Sequence, residues 1–156
     1  MAAVEPAVIE KAGADGVIVP DLPPEESAPL RSACQEAGLD YIFMLGPTST
    51  PDRVRLVGQM ASGFIYCVAL VGVTGARTDM SNDLADFLAR VRAETAVPLV
   101  VGFGISRPEH VRALKGQAQG VIVSSALADV IEATPPASRL AAVAERVRAF
   151  KQAASS

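Results

Sequence analysis

Five short apolar runs constrain most strongly what this chain of 156 residues can fold into. Each has a glycine or proline at or beside one end and is rich in β-branched or aromatic side chains, which is typical of buried strands. The predicted strands span residues 16–19, 41–45, 64–70, 98–101 and 120–123. Segments with helical periodicity lie between them, so strand and helix alternate. This alternation predicts parallel strands joined by right-handed crossovers.

Residues that favour helix ends mark the predicted helices. Thr50 precedes Pro51 and is predicted to be an N-cap. Ser106 and Glu109 have the spacing of a capping box. The predicted helices cover residues 25–37, 82–95 and 138–152, together with helices that begin near Thr50 and Ser106, and glycines at 38 and 116 are placed to end two of them.

The composition predicts a folded α/β domain. Hydrophobic residues make up 50% and charged residues 20%, which argues against disorder. With aromatic residues at only 4%, the core is expected to be aliphatic, as in strands that are buried on both faces. A net charge of −3 without basic clusters argues against nucleic acid binding. Because neither a signal peptide nor an apolar run of about 20 residues is present, a cytoplasmic location is expected.

The titratable residues give few candidates for catalysis. Asp21 follows the first apolar run, where a catalytic acid could lie, whereas the next acidic pair, at 25 and 26, is expected to favour the start of a helix. His110 is the only histidine and is expected at the surface, so no catalytic triad is predicted. Cys34 and Cys67 lack the spacing of a metal or redox site and are expected to be small buried side chains in a reducing compartment.

The loops that follow the last three runs are the candidate binding elements. They contain, in order, Gly72 to Gly75 with Thr74, Gly102 to Gly104 with Phe103, and the serines at 124 and 125 at a predicted helix start. Taken singly, each has an ordinary structural explanation as a flexible turn, core packing or helix capping. Together, the last two loops and the helix N-terminus match the phosphate site of (β/α)8 barrels.

The number of strand–helix units sets the expected size of the fold. Five units are visible, whereas a closed barrel needs eight strands and roughly 250 residues. We therefore expect a single α/β domain over residues 1–156, consisting of the five C-terminal βα units of a (β/α)8 TIM barrel without its first strands. The likeness of residues 13–19 to residues 117–123 is equally compatible with a repeated βα unit and with a common way to enter a strand.

Four motifs resemble the tryptophan synthase α subunit family. They are Asp21-Leu-Pro-Pro-Glu-Glu-Ser27, Gly72-Val-Thr-Gly75, Gly102-Phe-Gly-Ile-Ser106 and Val123-Ser-Ser-Ala126. The resemblance implies a lyase of tryptophan biosynthesis that cleaves indole-3-glycerol phosphate to indole and glyceraldehyde 3-phosphate. It also implies a β subunit as partner, which carries pyridoxal phosphate and receives the indole, so no cofactor is expected in this chain.

The resemblance also assigns binding residues. The residues that it implies for phosphate contacts are Gly75, Gly104, Ser124 and Ser125. The residues that it implies for the indole pocket are Ile18, Met44, Tyr66 and Phe103, with Thr74 positioning the family's catalytic aspartate.

This sequence differs from the family pattern at important positions. The family's catalytic glutamate and aspartate lie on strands that precede this sequence, so no catalytic residue is assigned here. Ser124 stands where the family usually has glycine, and Leu70 where a small or polar residue is expected. The main alternative is a non-catalytic fragment that binds phosphate esters or a partner. An isomerase of the tryptophan or histidine pathway is a third reading, but the Gly-Val-Thr-Gly and Glu-Glu-Ser motifs count against it.

Overall fold

The computed structural model describes residues 5–69, 82–102 and 104–155. These residues contain one parallel sheet of five strands in the order β1-β2-β3-β4-β5. The strands are β1 (Gly16–Ile18), β2 (Asp40–Leu45), β3 (Ile65–Val68), β4 (Leu99–Gly102) and β5 (Gly120–Val121). Each strand pairs with its neighbours along the chain, and the order does not reverse as it does in doubly wound sheets. The sheet is therefore an arc of a (β/α)8 barrel, as predicted.

The helices alternate with the strands. They are α1 (Pro6–Lys11), α2 (Ala28–Glu36), α3 (Pro51–Met60), α4 (Asn82–Glu94), α5 (Pro108–Ala113), α6 (Ser125–Ala133) and α7 (Arg139–Ser155), with 3-10 turns at Pro24–Glu26 and Pro136–Ser138. Thr50 caps α3 as predicted, because its hydroxyl accepts the backbone N–H of Arg53 at 3.3 Å. Gly38 directly follows the C-cap residue of α2 and has a φ of +72°, which confirms the expected left-handed helix end. Gly116 has a φ of +79° but lies two residues beyond the C-cap of α5, so it does not close that helix as predicted.

Two predicted helix starts are wrong. The helix expected from residue 25 is interrupted, because residues 24–26 form a 3-10 turn and α2 begins only at Ala28. The buried Ser27 closes that turn by donating its hydroxyl to the carbonyl of Pro24 at 2.7 Å. The capping box predicted at Ser106 is also incorrect, since Arg107 occupies the N-cap position of α5 and its side chain makes no capping bond.

The two faces of the sheet differ in burial. Side chains on the face towards the helices are almost fully buried, namely Tyr41, Phe43, Leu45, Ile65, Cys67, Leu99 and Val101. The alternating side chains on the opposite face, such as Met44, Tyr66 and Val100, are partly exposed, and Ile18 on β1 is 39% exposed. The prediction that strands are buried on both faces therefore holds for one face only. The other is the inner face of an open barrel arc.

Both cysteines are buried, as expected for small apolar side chains. Neither Cys34 nor Cys67 forms a disulfide. Burial raises the pKa of the Cys67 thiol to about 12, despite an opposing effect of the Arg92 charge, and it also raises the pKa of Cys34. Both side chains therefore remain protonated at neutral pH. Within the described ranges, no helix is long and apolar enough to cross a membrane, and no group of His, Cys, Asp and Glu side chains is arranged to hold a metal ion.

Candidate functional site

The C-terminal ends of β4 and β5 bring two predicted binding loops to the same edge of the sheet. Val101 pairs with Val121, and the N–H of Ile122 donates to the carbonyl of Val101 at 2.8 Å. The two strand segments are thus still hydrogen-bonded to each other at Ile122, two residues before Ser124. Because the strands are parallel, the loop that carries Gly104 and the loop that carries Ser124 leave the sheet side by side.

Ser124 and Ser125 lie at the start of α6, as predicted. Both residues are exposed, and the carbonyl of Ser124 accepts the N–H groups of Leu127 and Ala128 at 2.9 and 3.2 Å. The Ser124 side chain makes no capping bond. The first N–H groups of a helix lack acceptors within the helix, so this end of α6 presents N–H and hydroxyl donors to an anion.

Gly104 forms the turn between β4 and α5. Its φ of +80° lies in the left-handed region that favours glycine, and the residue is exposed. The next residue, Ile105, is only 3% exposed and belongs to the hydrophobic core. The backbone of Gly104 is therefore exposed to solvent, while the adjacent side chain of Ile105 packs in the core.

His110 lies immediately beneath this loop, and the prediction of a surface position is wrong. The side chain is only 9% exposed, in the first turn of α5. Its Nδ1 lies 3.3 Å from the backbone nitrogen of Ser106, in position to accept that N–H, and its Nε2 lies 3.1 Å from Nη2 of Arg107. The polar neighbours in the sequence suggested exposure, but they cover the ring rather than leave it in water.

Three residues predicted for the indole pocket share the open face of the sheet. Met44 and Tyr66 are direct partners on β2 and β3, and Ile18 pairs with Ile42, two residues before Met44. Since side chains alternate along a strand, all three point to the same side. Burial raises the pKa of the Tyr66 phenol, so it is protonated at neutral pH and can donate a hydrogen bond.

Gly102 makes room for Tyr66 on this face. A Cβ added to Gly102 would collide with the phenol group and would lie 2.9 Å from Cε2 of the Tyr66 ring. Gly102 therefore lies against a residue of the predicted indole pocket, although the sequence predicted no such role for it. The Gly-x-Gly pattern at the end of the fourth predicted strand could have indicated this contact. Its first glycine, Gly102, leaves space for the aromatic ring of Tyr66.

Asp21 lines a cavity of about 210 Å³ at the C-terminal ends of β1 and β2. Met44 and Arg53 also line this cavity, so it adjoins the predicted indole pocket. Arg53 forms an exposed ion pair with Glu25, at 3.0 Å. Asp21 is therefore placed at the expected edge of the sheet, with an arginine in the same cavity.

Comparison with known sequences identifies the family. A sequence model described as the tryptophan synthase alpha chain matches residues 6–155, nearly the whole chain. The chain belongs to the tryptophan synthase alpha chain family. The tryptophan synthase alpha chain of Roseiflexus castenholzii is 53% identical over 140 residues, which cover 90% of this chain and 54% of that relative. The corresponding protein of Chloroflexus aurantiacus is 46% identical over 142 residues, which cover 91% of this chain and 53% of the relative.

Solved structures of alpha chains show the same fold. The alpha subunit of Legionella pneumophila has 32% identity and a TM-score of 0.81, over 96% of this chain and 55% of its own. The structure of the Pyrococcus furiosus tryptophan synthase α2β2 complex gives 30% identity and a TM-score of 0.84, over 94% of this chain and 59% of the matched chain. The chain thus spans about half the length of the relatives that it matches.

Some of the residues implied by the family resemblance fall outside the described structure. Gly75 and Thr74 lie in the undescribed range 70–81, as does Leu70, and Phe103 is also not described. The remaining assigned residues form two groups. Gly104, Ser124 and Ser125 follow adjacent strands, whereas Ile18, Met44 and Tyr66 share the inner face.

Proposed function

We propose that this chain supplies the phosphate-binding and indole-binding parts of a tryptophan synthase α-type lyase. The observation that carries the proposal is the family match over residues 6–155, which spans the two adjacent loops with Gly104 and Ser124. The substrate is indole-3-glycerol phosphate, and the products are indole and glyceraldehyde 3-phosphate.

The arrangement of the described residues suits this substrate. A phosphate ester needs several N–H or O–H donors, which the exposed backbone at Gly104 and the start of α6 supply. An indole ring needs apolar walls and a hydrogen-bonding partner, and the inner face offers Ile18, Met44 and the protonated phenol of Tyr66. Both groups lie on the part of the sheet where barrel enzymes bind their ligands.

The cleavage itself requires two proton transfers. The bond between C3 of the indole and the glycerol carbon breaks, C3 gains a proton, and the hydroxyl on that carbon loses its proton to form the aldehyde. In this family, carboxylates on earlier strands carry out these transfers, and we assign neither role to a residue of this chain. The described residues bind and orient the substrate, which lowers the barrier only when the carboxylates are also in place.

A β subunit is the proposed partner of the complete protein. This part of the proposal is supported by the likeness to the alpha chain in the α2β2 complex of Pyrococcus furiosus. Pyridoxal phosphate would belong to the β subunit, and this chain would deliver indole to it.

The proposal is tested by separating binding from cleavage. Glycerol 3-phosphate is titrated into the purified chain by calorimetry, and indole formation from indole-3-glycerol phosphate is assayed in parallel. We expect binding without cleavage. We expect cleavage to appear when the chain is mixed with the part of the Roseiflexus castenholzii protein that the match does not cover, because the family resemblance assigns both carboxylates to strands outside the matched region.

Each measurement can contradict a different part of the proposal. If glycerol 3-phosphate does not bind, the described loops are not a phosphate site. If the purified chain alone cleaves the substrate, in a preparation free of full-length enzyme, the assignment of both carboxylates to other strands is wrong.

A further inference from the structure

The loop that carries Gly104 is held from beneath by a buried histidine that has no role in the family pattern described above. His110 is 9% exposed, and its Nδ1 is 3.3 Å from the backbone nitrogen of Ser106, two residues after Gly104. We infer that His110 is a positioning residue for the phosphate loop, in that its imidazole accepts the Ser106 N–H and fixes the backbone of Gly104. This inference rests on the proposed function.

The contact resembles a capping box displaced by one residue. In a capping box, the side chain at the third helical position accepts a backbone N–H at the start of the helix. With Arg107 as the N-cap residue, His110 occupies that third position in α5, and its own N–H donates to the carbonyl of Arg107 at 3.1 Å. Its ring reaches one residue further back, to Ser106. The bond therefore restrains the loop before the helix rather than the first turn alone.

Two anchors act on the residues that directly follow the exposed glycine turn. Ile105 inserts into the core with 3% exposure, and the adjacent N–H of Ser106 faces the imidazole. Gly104 precedes both and has a φ of +80°, a conformation that the loop must hold for its backbone to face a ligand. Without the imidazole acceptor, only the Ile105 side chain would fix this end of the loop.

The chemistry of the ring limits how the bond can form. A neutral imidazole has one acceptor nitrogen, so accepting the Ser106 N–H requires Nδ1 to be unprotonated and the proton to be on Nε2. The guanidinium of Arg107 lies 3.1 and 3.3 Å from Nε2 and is also only a donor, so it competes with the Ser106 N–H for the single acceptor nitrogen. Arg107 is exposed and can donate to water instead, so we assign the acceptor role of the ring to the Ser106 N–H. The imidazole proton is therefore expected on Nε2.

Matched variants test the role of the acceptor. His110→Asn retains an oxygen near the position of Nδ1, whereas His110→Leu has a similar size and no acceptor. We expect glycerol 3-phosphate to bind roughly tenfold more weakly to the leucine variant, and within about twofold of the unaltered chain in the asparagine variant. Unfolding in urea is measured for both, so that affinities are compared only under conditions where each is folded.

A second measurement needs no substitution. Because His110 is the only histidine, its two imidazole ¹⁵N signals are unambiguous. At neutral pH we expect Nδ1 to be unprotonated and its signal to shift when glycerol 3-phosphate saturates the chain. A protonated Nδ1, or signals that do not respond to the ligand, would overturn the inference even if the leucine variant did not fold.

The outcomes separate this inference from the proposed function. If the unaltered chain binds glycerol 3-phosphate and His110→Leu binds equally well, the positioning role is wrong and the phosphate site stands. The same holds if His110→Asn is as weak as His110→Leu. If the unaltered chain does not bind, the proposed function fails and this inference fails with it.

Discussion

Gly104 combines a backbone conformation that other residues rarely adopt with a predicted contact to phosphate. Its φ is +80°, and Gly116, in the turn that follows α5, has a nearly identical φ of +79°. A β-branched side chain in this region costs about 1–3 kcal/mol. We expect Gly104→Val and Gly116→Val to lower the free energy of unfolding by similar amounts, measured in urea, but only Gly104→Val to abolish glycerol 3-phosphate binding. If calorimetry gave the same affinity for glycerol 3-phosphate in both variants, the loop at Gly104 would not be the phosphate site.

Cys67 gives a prediction about alkaline pH. Burial raises the pKa of its thiol from 9.0 to about 12, so between these values the folded chain keeps a proton that the unfolded chain loses. The free energy of unfolding should therefore fall as pH rises through this interval, by at most about 1.4 kcal/mol per pH unit for one group. The stabilisation that comes from the protonated Cys67 thiol is fully present below pH 9 and is lost as the pH rises towards about 12, the pKa of the thiol in the folded chain.

The Cys67→Ala variant isolates this effect from other titrating groups. At neutral pH it should be less stable than the unaltered chain, because it leaves a cavity in the core. The difference in the free energy of unfolding between the unaltered chain and the variant should become smaller as the pH rises above 9, since the alanine has no proton to lose. Urea unfolding at a series of pH values measures this difference, and a constant difference would mean that the thiol titrates normally in the folded chain.

The roles of some individual residues could be predicted from the sequence and those of others could not, for physical reasons. Thr50 was predicted correctly because an N-cap depends on neighbours within a few residues. The burial of His110 was missed because it depends on where the ring turns relative to Ser106 and Arg107, which hydrophobicity patterns do not encode. The close contact of Gly102 with Tyr66 was missed because Tyr66 lies on the neighbouring strand, far away in the sequence.

At the scale of elements, the strands and their order were predictable, while some helix starts were not. Each strand is a short β-branched or aromatic run, and the five occur where expected, although β1, β3 and β5 are shorter than predicted. Ser106 and Glu109 have the spacing of a capping box, yet α5 begins one residue later, with His110 rather than Glu109 reaching back. Local spacing identifies a helix start within a residue or two, and tertiary contacts select among the alternatives.

Arg92 joins three elements and provides a prediction at this scale. Its guanidinium donates to the carbonyls of Thr95 and Val97, at 3.3 and 3.1 Å, and to the side chain of Gln119. The same Gln119 oxygen accepts the N–H of Leu99 at 2.9 Å. These bonds connect the end of α4 with the start of β4 and with the residue before β5.

We expect Arg92→Met to lower the free energy of unfolding by about 2–3 kcal/mol, because it removes several charge-assisted hydrogen bonds to partly buried acceptors. Arg90 is the matched control. It is exposed, donates to the carbonyl of Pro47 at 2.9 Å and lies 5.8 Å from the centroid of the Phe87 ring. Arg90→Met should cost about 1 kcal/mol or less. Equal losses in urea unfolding would show that the Arg92 network adds nothing beyond an exposed arginine contact.

At the scale of the whole molecule, the sheet has two edges and an open face. Among the described residues, β1 and β5 each pair on one side only, and neither contains a buried residue. In a closed barrel both edges pair with further strands and the inner face is filled by side chains. The relatives matched here are about twice as long as the matched region. The pattern of burial is thus that of a barrel arc, which the number of apolar runs in the sequence predicted.

The exposed inner face and the two edges predict that the 156-residue chain associates when it is purified alone. Unpaired strand edges beside apolar side chains favour pairing with another chain. Burying one valine or isoleucine contributes roughly 1.5–3 kcal/mol, which is considerable beside a typical net stability of 5–15 kcal/mol. Sedimentation velocity at micromolar concentration should therefore show dimers or larger species.

Ile18→Lys should reduce this association, because Ile18 lies on the open face and is 39% exposed. Leu140→Lys is the control, since Leu140 lies on α7 and is 88% exposed. A sharp monomer with cooperative melting, or an equal effect of the two variants, would contradict association through the open face.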